Sequence, residues 1–224
     1  MQKDCKGKQV WFTRLHETDN GAFLRDDGML CMAEDGVVTP FLAQKDVKLR
    51  GLHNIENLLA AAAAVWGEVP VEAIQKVGST FTGVEHRIEP VRVLDGVTYY
   101  NDSIGTSPTR TIAGLRSFSE KVILIAGGYD KHIPYDVLGP EIAAHVKLLV
   151  CTGATGPKIA AAARAVPDAP EILEIPDFYD AVHAAAQQAK PGDIVLLSPA
   201  SAAFDRFKNF MVRGVEFKKT VMAL

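Results

Sequence analysis

KVILIAGGYDKH (residues 121–132), VKLLVCTG (146–153) and DIVLLSPA (193–200) decide the fold. Each opens with an apolar run rich in Val, Ile and Leu, and each run ends in Gly, Thr or Ser. Continuous runs of this kind belong to strands buried on both faces, which is the habit of parallel sheets. EPVRVL (89–94), VTYYN (97–101) and EILEI (171–175) supply three further strands. Helix-patterned stretches lie between the later ones: TRTIAGLRSF (109–118), DVLGPEIAAH (136–145), GPKIAAAARAV (156–166) and DFYDAVHAAAQQA (177–189), then a turn-rich segment to Leu224. Strand alternating with helix predicts an α/β fold, with residues 89–224 forming a Rossmann-like, doubly wound, mainly parallel sheet.

Upstream the pattern changes. QVWFTRL (9–15), GAFLR (21–25), GMLCMA (28–33) and VVTPFLA (37–43) are short strands separated by DNG, DDG and EDG. Asp/Asn-Gly steps between apolar runs signal hairpins, so this stretch is expected to be antiparallel. GLHNIENLLAAAAAVWG (51–67) then carries Ile55, Leu58, Leu59, Ala62 and Trp66 on one helical stripe. Asn54 is the expected N-cap and Gly67 the expected stop. A second helix follows Pro70 in VEAIQKVGSTF (71–81). The expected organisation is a partial domain over residues 1–88 and a complete α/β domain over 89–224.

Composition narrows the class. The 224 residues are 48% hydrophobic and 23% charged, as in ordinary globular chains rather than disordered ones. A net charge of -3 gives no basic footprint for nucleic acid or for a polybasic contact with a membrane. No apolar run approaches the roughly 18 residues of a membrane span, and the first twelve residues lack a signal-peptide core, so a cytoplasmic location is expected. Cys5, Cys31 and Cys151 are sparse and far apart, which suits a reducing compartment and no zinc ribbon.

Ligands of doubly wound sheets bind beyond the carboxyl ends of the strands. Polar or glycine-rich segments follow four strands here: Asn101-Asp102-Ser103, the Gly127–Lys131 loop, Thr152-Gly153 and Ser198-Pro199-Ala200. Lys131 is a compact cation suited to a carboxylate or phosphate, or to plain solvation on a surface loop. Asp102, Ser103 and Ser107 suit a ribose or carboxylate contact, or helix capping. TGATGPK (152–158) satisfies neither GxxxxGK[ST] nor GxGxxG. Arg87 stands where the two halves join, with a planar fork able to reach a phosphate.

Five strings carry a resemblance when taken in order: GLHNIENLLAAAA, FTGVEHRIE, VTYYNDSIGTSPTRT, VILIAGGYDKH and DIVLLSPASAAFDRFKNFMVRGVEF. Together they resemble the Mur ligases, and SPASAAFDRFKNF with RGVEF is most similar to the branch that adds D-glutamate. The resemblance runs from about residue 47 to the end. It implies a cytosolic, three-domain, ATP- and Mg2+-dependent amide ligase of peptidoglycan synthesis, with UDP-N-acetylmuramoyl-L-alanine and D-glutamate as substrates.

By motif, Asn54 and Asn57 match residues near adenine, Arg87 one that reaches the nucleotide, and Asp102 one on the ribose. Thr106, Lys131 and Phe210 match residues around the incoming glutamate, with Ser198 and Ala203 beside them. Ile104 stands where the family often has Lys, Ala203 where it often has Ser, and Tyr129 where it often has an acid. The family's phosphate loop, magnesium ligands and catalytic residues are expected upstream of this chain. An isolated piece is then expected to be inactive and to expose a sheet edge that invites self-association. Another acceptor within the superfamily, including a folylpolyglutamate-type reaction, and a noncatalytic α/β binding module are the alternative readings.

Overall fold

A computed structural model describes residues 6–49 and 51–224. The chain divides into two compact units between Thr82 and Gly83.

The first unit has a four-stranded sheet in the order β1-β2-β3-β4: β1 (Trp11–Thr13), β2 (Gly21–Leu24), β3 (Met29–Glu34) and β4 (Val37–Ala43). β2, β3 and β4 form the two expected hairpins. Their turns place Gly28 at φ 82° and Gly36 at φ 76°, a backbone region that glycine enters without a steric penalty.

The expectation of an all-antiparallel region fails at β1, which runs parallel to β2. Asp19-Asn20-Gly21 is not a hairpin turn. The Trp11 amide donates to the Asn20 carbonyl (3.2 Å), and the Asn20 side chain donates to the Gln9 carbonyl (2.7 Å), so the chain passes itself closely. A Cβ on Gly21 would lie 2.1 Å from the Trp11 carbonyl oxygen. Glycine here permits close approach rather than reversal.

Helices α1 (Leu52–Val65) and α2 (Val71–Thr80) pack on this sheet. Ile55, Leu59, Ala62 and Ile74 meet Ala22, Leu30, Met32 and Phe41 in one core. Asn54 is not the cap that its residue type suggested. Gly51 holds that position, and Asn54 is buried inside the first turn. Gly67, at φ 82°, follows the C-cap as expected.

The second unit is built on a six-stranded sheet in the order β5-β6-β10-β7-β8-β9. Its strands are β5 (Glu89–Leu94), β6 (Val97–Asn101), β7 (Val122–Gly127), β8 (Val146–Thr152), β9 (Glu171–Glu174) and β10 (Ile194–Leu197). β5 alone is antiparallel. Five helices accompany them: α3 (Pro108–Leu115), α4 (Leu138–His145), α5 (Gly156–Arg164), α6 (Phe178–Gln188) and α7 (Phe210–Ala223).

Alternate strand residues feed two cores. Leu124, Leu149 and Leu196 meet Leu115, Ile142 and Ile159. Ile123, Val150 and Val195 meet Phe178, Val182, Phe217 and Val221. Both faces are covered, which is why the strands read as unbroken apolar runs. The final segment is turn-rich only to Asn209; its side chain then accepts from the Val212 amide and starts a 14-residue helix.

Residues 83–88 belong to the second unit because its backbone holds them. The Ile104 amide donates to the His86 carbonyl (3.2 Å), and the Ile88 amide to Asp102 Oδ1 (3.3 Å). The last strand, β10, inserts between β6 and β7. The chain thus leaves β6 in one direction and returns from β9 in the other, and doubly wound sheets bind ligands beyond the carboxyl ends of the strands at such a switch.

Gly127 tests the β7–β8 register. At φ 130° it would place a Cβ 1.7 Å from the Thr152 carbonyl oxygen, a backbone atom that cannot swing away. Gly127→Ala is expected to destabilise the chain by about 3 kcal/mol or more in urea unfolding. An unchanged midpoint would contradict this register.

Candidate functional site

The strand-end loops are tied together by Arg213, on the first turn of α7 and only 2% exposed. Its Nε donates to Ser103 Oγ (3.0 Å), and Nη2 to the carbonyls of Ser103 (2.9 Å) and Ser201 (3.0 Å). Nη1 donates to the Ala202 carbonyl (3.0 Å). Burying a guanidinium costs several kcal/mol. Four charge-assisted bonds of roughly 1.5–3 kcal/mol each are of the size needed to offset that. Burial pulls the Arg213 pKa down to about 10, with Asp205 and Asp102 opposing the shift, so it stays charged at neutral pH.

Around this hub the loops interlock. The Gly127 amide donates to the Pro199 carbonyl (2.8 Å), and the Tyr129 amide to the Ala202 carbonyl (2.9 Å). Hydroxyls connect Tyr135 to Ser201 (2.9 Å) and Ser201 to Thr155 (2.8 Å), and Thr155 Oγ1 donates to the Gly128 carbonyl (3.2 Å). Four strand ends therefore form one hydrogen-bonded body.

Asp102 follows β6 and is buried. Its Oδ2 accepts from Ser198 Oγ (2.6 Å), and its Oδ1 from the Ile88 amide. Burial raises its pKa from 3.8 to about 6; the bonds from Ser198 and Ile88, then the charges of Arg87 and Arg110, resist the rise. The Ser198 side chain is fully buried, and its hydroxyl lies between Asp102 and Thr111. Ala203 is buried as well. Ser107 is the N-cap of α3, but no side chain caps that helix.

Thr106 and Lys131 do converge. Lys131 Nζ donates to the Thr106 carbonyl (3.2 Å) across two loops. Asp130 beside it is held below the usual carboxylate range by a hydrogen bond from Lys158 (2.5 Å). Phe210 is half-buried, edge-on to His86 with ring centroids 6.0 Å apart. Its carbonyl accepts from Ser103 Oγ (2.8 Å), which links it to the Arg213 hub. Asn54 and Asn57 lie on α1 of the first unit, where the Asn57 amide donates to Asn54 Oδ1 (3.1 Å).

A cleft of about 430 Å³ opens at the ends of β7 and β8, between Gly128, Gly153, Asp205, Phe207 and Arg213. None of the residues assigned by motif lines it. Arg213, Ser201 and Thr155 carry no individual role in the sequence, and Ser103, which suits a ribose or carboxylate contact or a cap, instead joins Arg213 to the Phe210 carbonyl. Only position after a strand marks Ser201 and Thr155, and an arginine on a polar helix gives no signal of its own. The buried Cys151 thiol is pushed up to about 12 and serves as packing, not chemistry. Cys5 lies outside the described residues. Among the described residues no helix is long and apolar enough to cross a membrane.

The raised Asp102 pKa makes stability depend on pH. The folded state holds the proton more tightly than the unfolded state does, so this group's contribution is most favourable below about pH 4. It falls as pH rises through about 6, then levels. Asp102→Asn removes that titration. The stability of the wild-type chain relative to the variant is expected to decline between about pH 4 and 6 and to stay flat from 7 to 8. Parallel urea midpoints across the whole range would contradict the buried carboxylate.

The family model described as the glutamate ligase domain of Mur ligases matches residues 86–201. The chain is 51% identical to the UDP-N-acetylmuramoylalanine–D-glutamate ligase of Acetivibrio thermocellus over 228 residues, covering 99% of this chain and 48% of that protein. The protein of the same name from Clostridium novyi is 48% identical, with 99% and 48% covered. A solved UDP-N-acetylmuramate–alanine ligase from Thermotoga maritima superposes with a TM-score of 0.66 at 13% identity, over 96% of this chain and 48% of that one. A folylpolyglutamate/dihydrofolate synthase from Yersinia pestis does so at 0.58 and 18%, over 91% and 45%. These two structures bear on the fold alone. The chain spans about half the length of the curated relatives it matches. With the family model over its α/β unit and close identity along nearly its whole length, this chain belongs to the Mur ligase family.

Proposed function

We propose that this chain is part of an ATP-dependent ligase that joins D-glutamate to UDP-N-acetylmuramoyl-L-alanine in peptidoglycan synthesis. The observation that carries the reading is 51% identity, over 99% of this chain, to a protein named for that reaction. In this reading the first unit ends a central nucleotide-binding domain, and the second, which begins at Gly83 rather than at the expected residue 89, forms the domain that receives the amino acid.

ATP, when bound, supplies the phosphoryl group that converts a carboxylate into an acyl phosphate open to attack by an amine. Asn54, Asn57, Arg87 and Asp102 are the residues proposed to hold it. Asp102 suits a ribose hydroxyl in kind: each oxygen already accepts one hydrogen bond and retains a lone pair for another.

Magnesium does not fit this chain in the same way. The one cluster of potential ligands among the described residues is Glu85, His86 and Glu89. Lys218 Nζ already fills it, 2.6 Å from Glu85 and 2.9 Å from Glu89. No step is assigned to a metal held here.

The proposed acceptor site is the Thr106–Lys131–Phe210 face. The Lys131 ammonium, steadied by the Thr106 carbonyl, pairs with a carboxylate of the incoming amino acid. Fixing that carboxylate orients the amine for attack. Phe210 provides an apolar wall whose place is set by His86 and Ser103. Ser198 serves Asp102 rather than the substrate, because its buried hydroxyl is already engaged. Ala203 offers no hydroxyl there.

The test is phosphate release by the complete protein with ATP, Mg2+ and UDP-N-acetylmuramoyl-L-alanine. Release is expected with D-glutamate, and not with L-glutamate, L-lysine or diaminopimelate. Lys131→Ala is expected to raise KM for D-glutamate at least tenfold, about 1.4 kcal/mol, and to leave KM for ATP unchanged. Release with a different acceptor would keep the superfamily and move the specificity. No release with any acceptor would favour a noncatalytic module.

A further inference from the structure

A second cavity, of about 340 Å³, lies at the other end of the sheet, where β6 and β10 begin. Its walls are Leu94, Val97, Ala186 and Pro191, with Asp95 and His183 at the rim. Its shape is set by backbone bonds rather than by loose side chains. The Gly192 amide donates to the Gly96 carbonyl (2.8 Å), and the Thr98 amide to the Asp193 carbonyl (3.0 Å), which clamps the two turns together. Arg92 donates to the carbonyls of Val221 (3.0 Å) and Met222 (3.1 Å), which pins the end of α7 and brings Leu224 to the cavity.

Tyr99 lines this cavity and is only 2% exposed. Burial drives its pKa upward, with Arg92 and Asp95 as the nearby charges and no side-chain hydrogen bond contributing. Among the described residues no fully buried side-chain oxygen or nitrogen lacks a partner. A phenol oxygen without one therefore opens onto the cavity. It stays protonated at neutral pH and is a donor looking for an acceptor. Asp95, exposed at the rim of the same cavity, is an acceptor. The apolar part of the lining, Leu94, Val97, Ala186 and Pro191, suits a ring, and His183 and Gln187 make the rest of the wall polar.

We propose that this cavity is a second small-molecule site, which takes a neutral ring carboxamide. The carbonyl accepts from Tyr99 Oη, the amide N–H donates to Asp95, and the ring lies against Leu94, Val97 and Ala186. Asp95 turns away carboxylates of the same shape. The volume is near the lower end of ligand cavities, so the fitting ligand is a single ring rather than a nucleotide. The site is remote from the strand-end loops and does not depend on the ligase reading.

Saturation-transfer NMR on the full chain tests this, with benzamide and benzoate as probes. Benzamide is expected to take up saturation and benzoate to bind at least tenfold more weakly. Tyr99→Phe is expected to weaken benzamide about five- to tenfold, the loss of one hydrogen bond. Ala186→Leu, at a half-buried wall position, is expected to abolish the signal while the thermal midpoint shows the chain still folded. No transfer from wild type to benzamide, as for a cavity that holds only water, would overturn the proposal. So would equal transfer in Tyr99→Phe, or benzoate binding as well as benzamide.

Discussion

A guanidinium buried without a carboxylate bonded to it holds this α/β unit in working order. Arg213 reaches from α7 to carbonyls and a hydroxyl at the ends of β6 and β10. Arginine alone can do this: its planar fork offers five donors in fixed directions, whereas a lysine ammonium at that depth would leave carbonyls unpaired. The packing around it is correspondingly tight. A Cβ on Gly128 would lie 2.9 Å from Arg213 Nη1, and one on Gly214 would lie 2.3 Å from His86 Nδ1.

From that hub the site follows by connection. Ser103 joins Arg213 to the Phe210 carbonyl, and Phe210 leans on His86. His86 shares Asn101 with Glu89, and Lys218 bridges Glu89 to Glu85. The segment just after the boundary between the units is thus fastened to the same helix that orders the strand ends. Lys131 and Asp130 lie outside this buried body, on an exposed loop where a cation can meet a ligand and still be solvated. The buried part sets positions, and the exposed part carries the charge that recognises an anion.

Much of this was legible in the sequence, for identifiable reasons. The Val/Ile/Leu runs of β7, β8 and β10 could be buried on both faces only in a covered parallel sheet. The rule that ligands meet the carboxyl ends of strands then pointed to Lys131, and the family resemblance to Thr106; the fold brings the two together. β1 was misread because Asn20-Gly21 has the residues of a hairpin turn, while the glycine is used for close approach to Trp11. Asn54 was misread as a cap because Gly51, three residues earlier, begins the helix with a backbone that needs no side-chain cap. Arg213 was invisible because burial of an arginine depends on three carbonyls supplied by distant loops. Ser198 looked available for substrate, and its engagement by Asp102 appears only in three dimensions.

Arg213 keeps the strand-end loops in one arrangement. Amide hydrogen exchange on Arg213→Met, compared with the unchanged chain, is the decisive measurement. The account predicts that Tyr129, Thr155 and Phe207, whose amides are bonded between or within these loops, lose protection together. Leu124 and Val150, central in β7 and β8, should keep theirs relative to the variant's global stability. Protection at Tyr129, Thr155 and Phe207 that survives the substitution would contradict the account, and would mean that the loops hold their shape without the buried guanidinium.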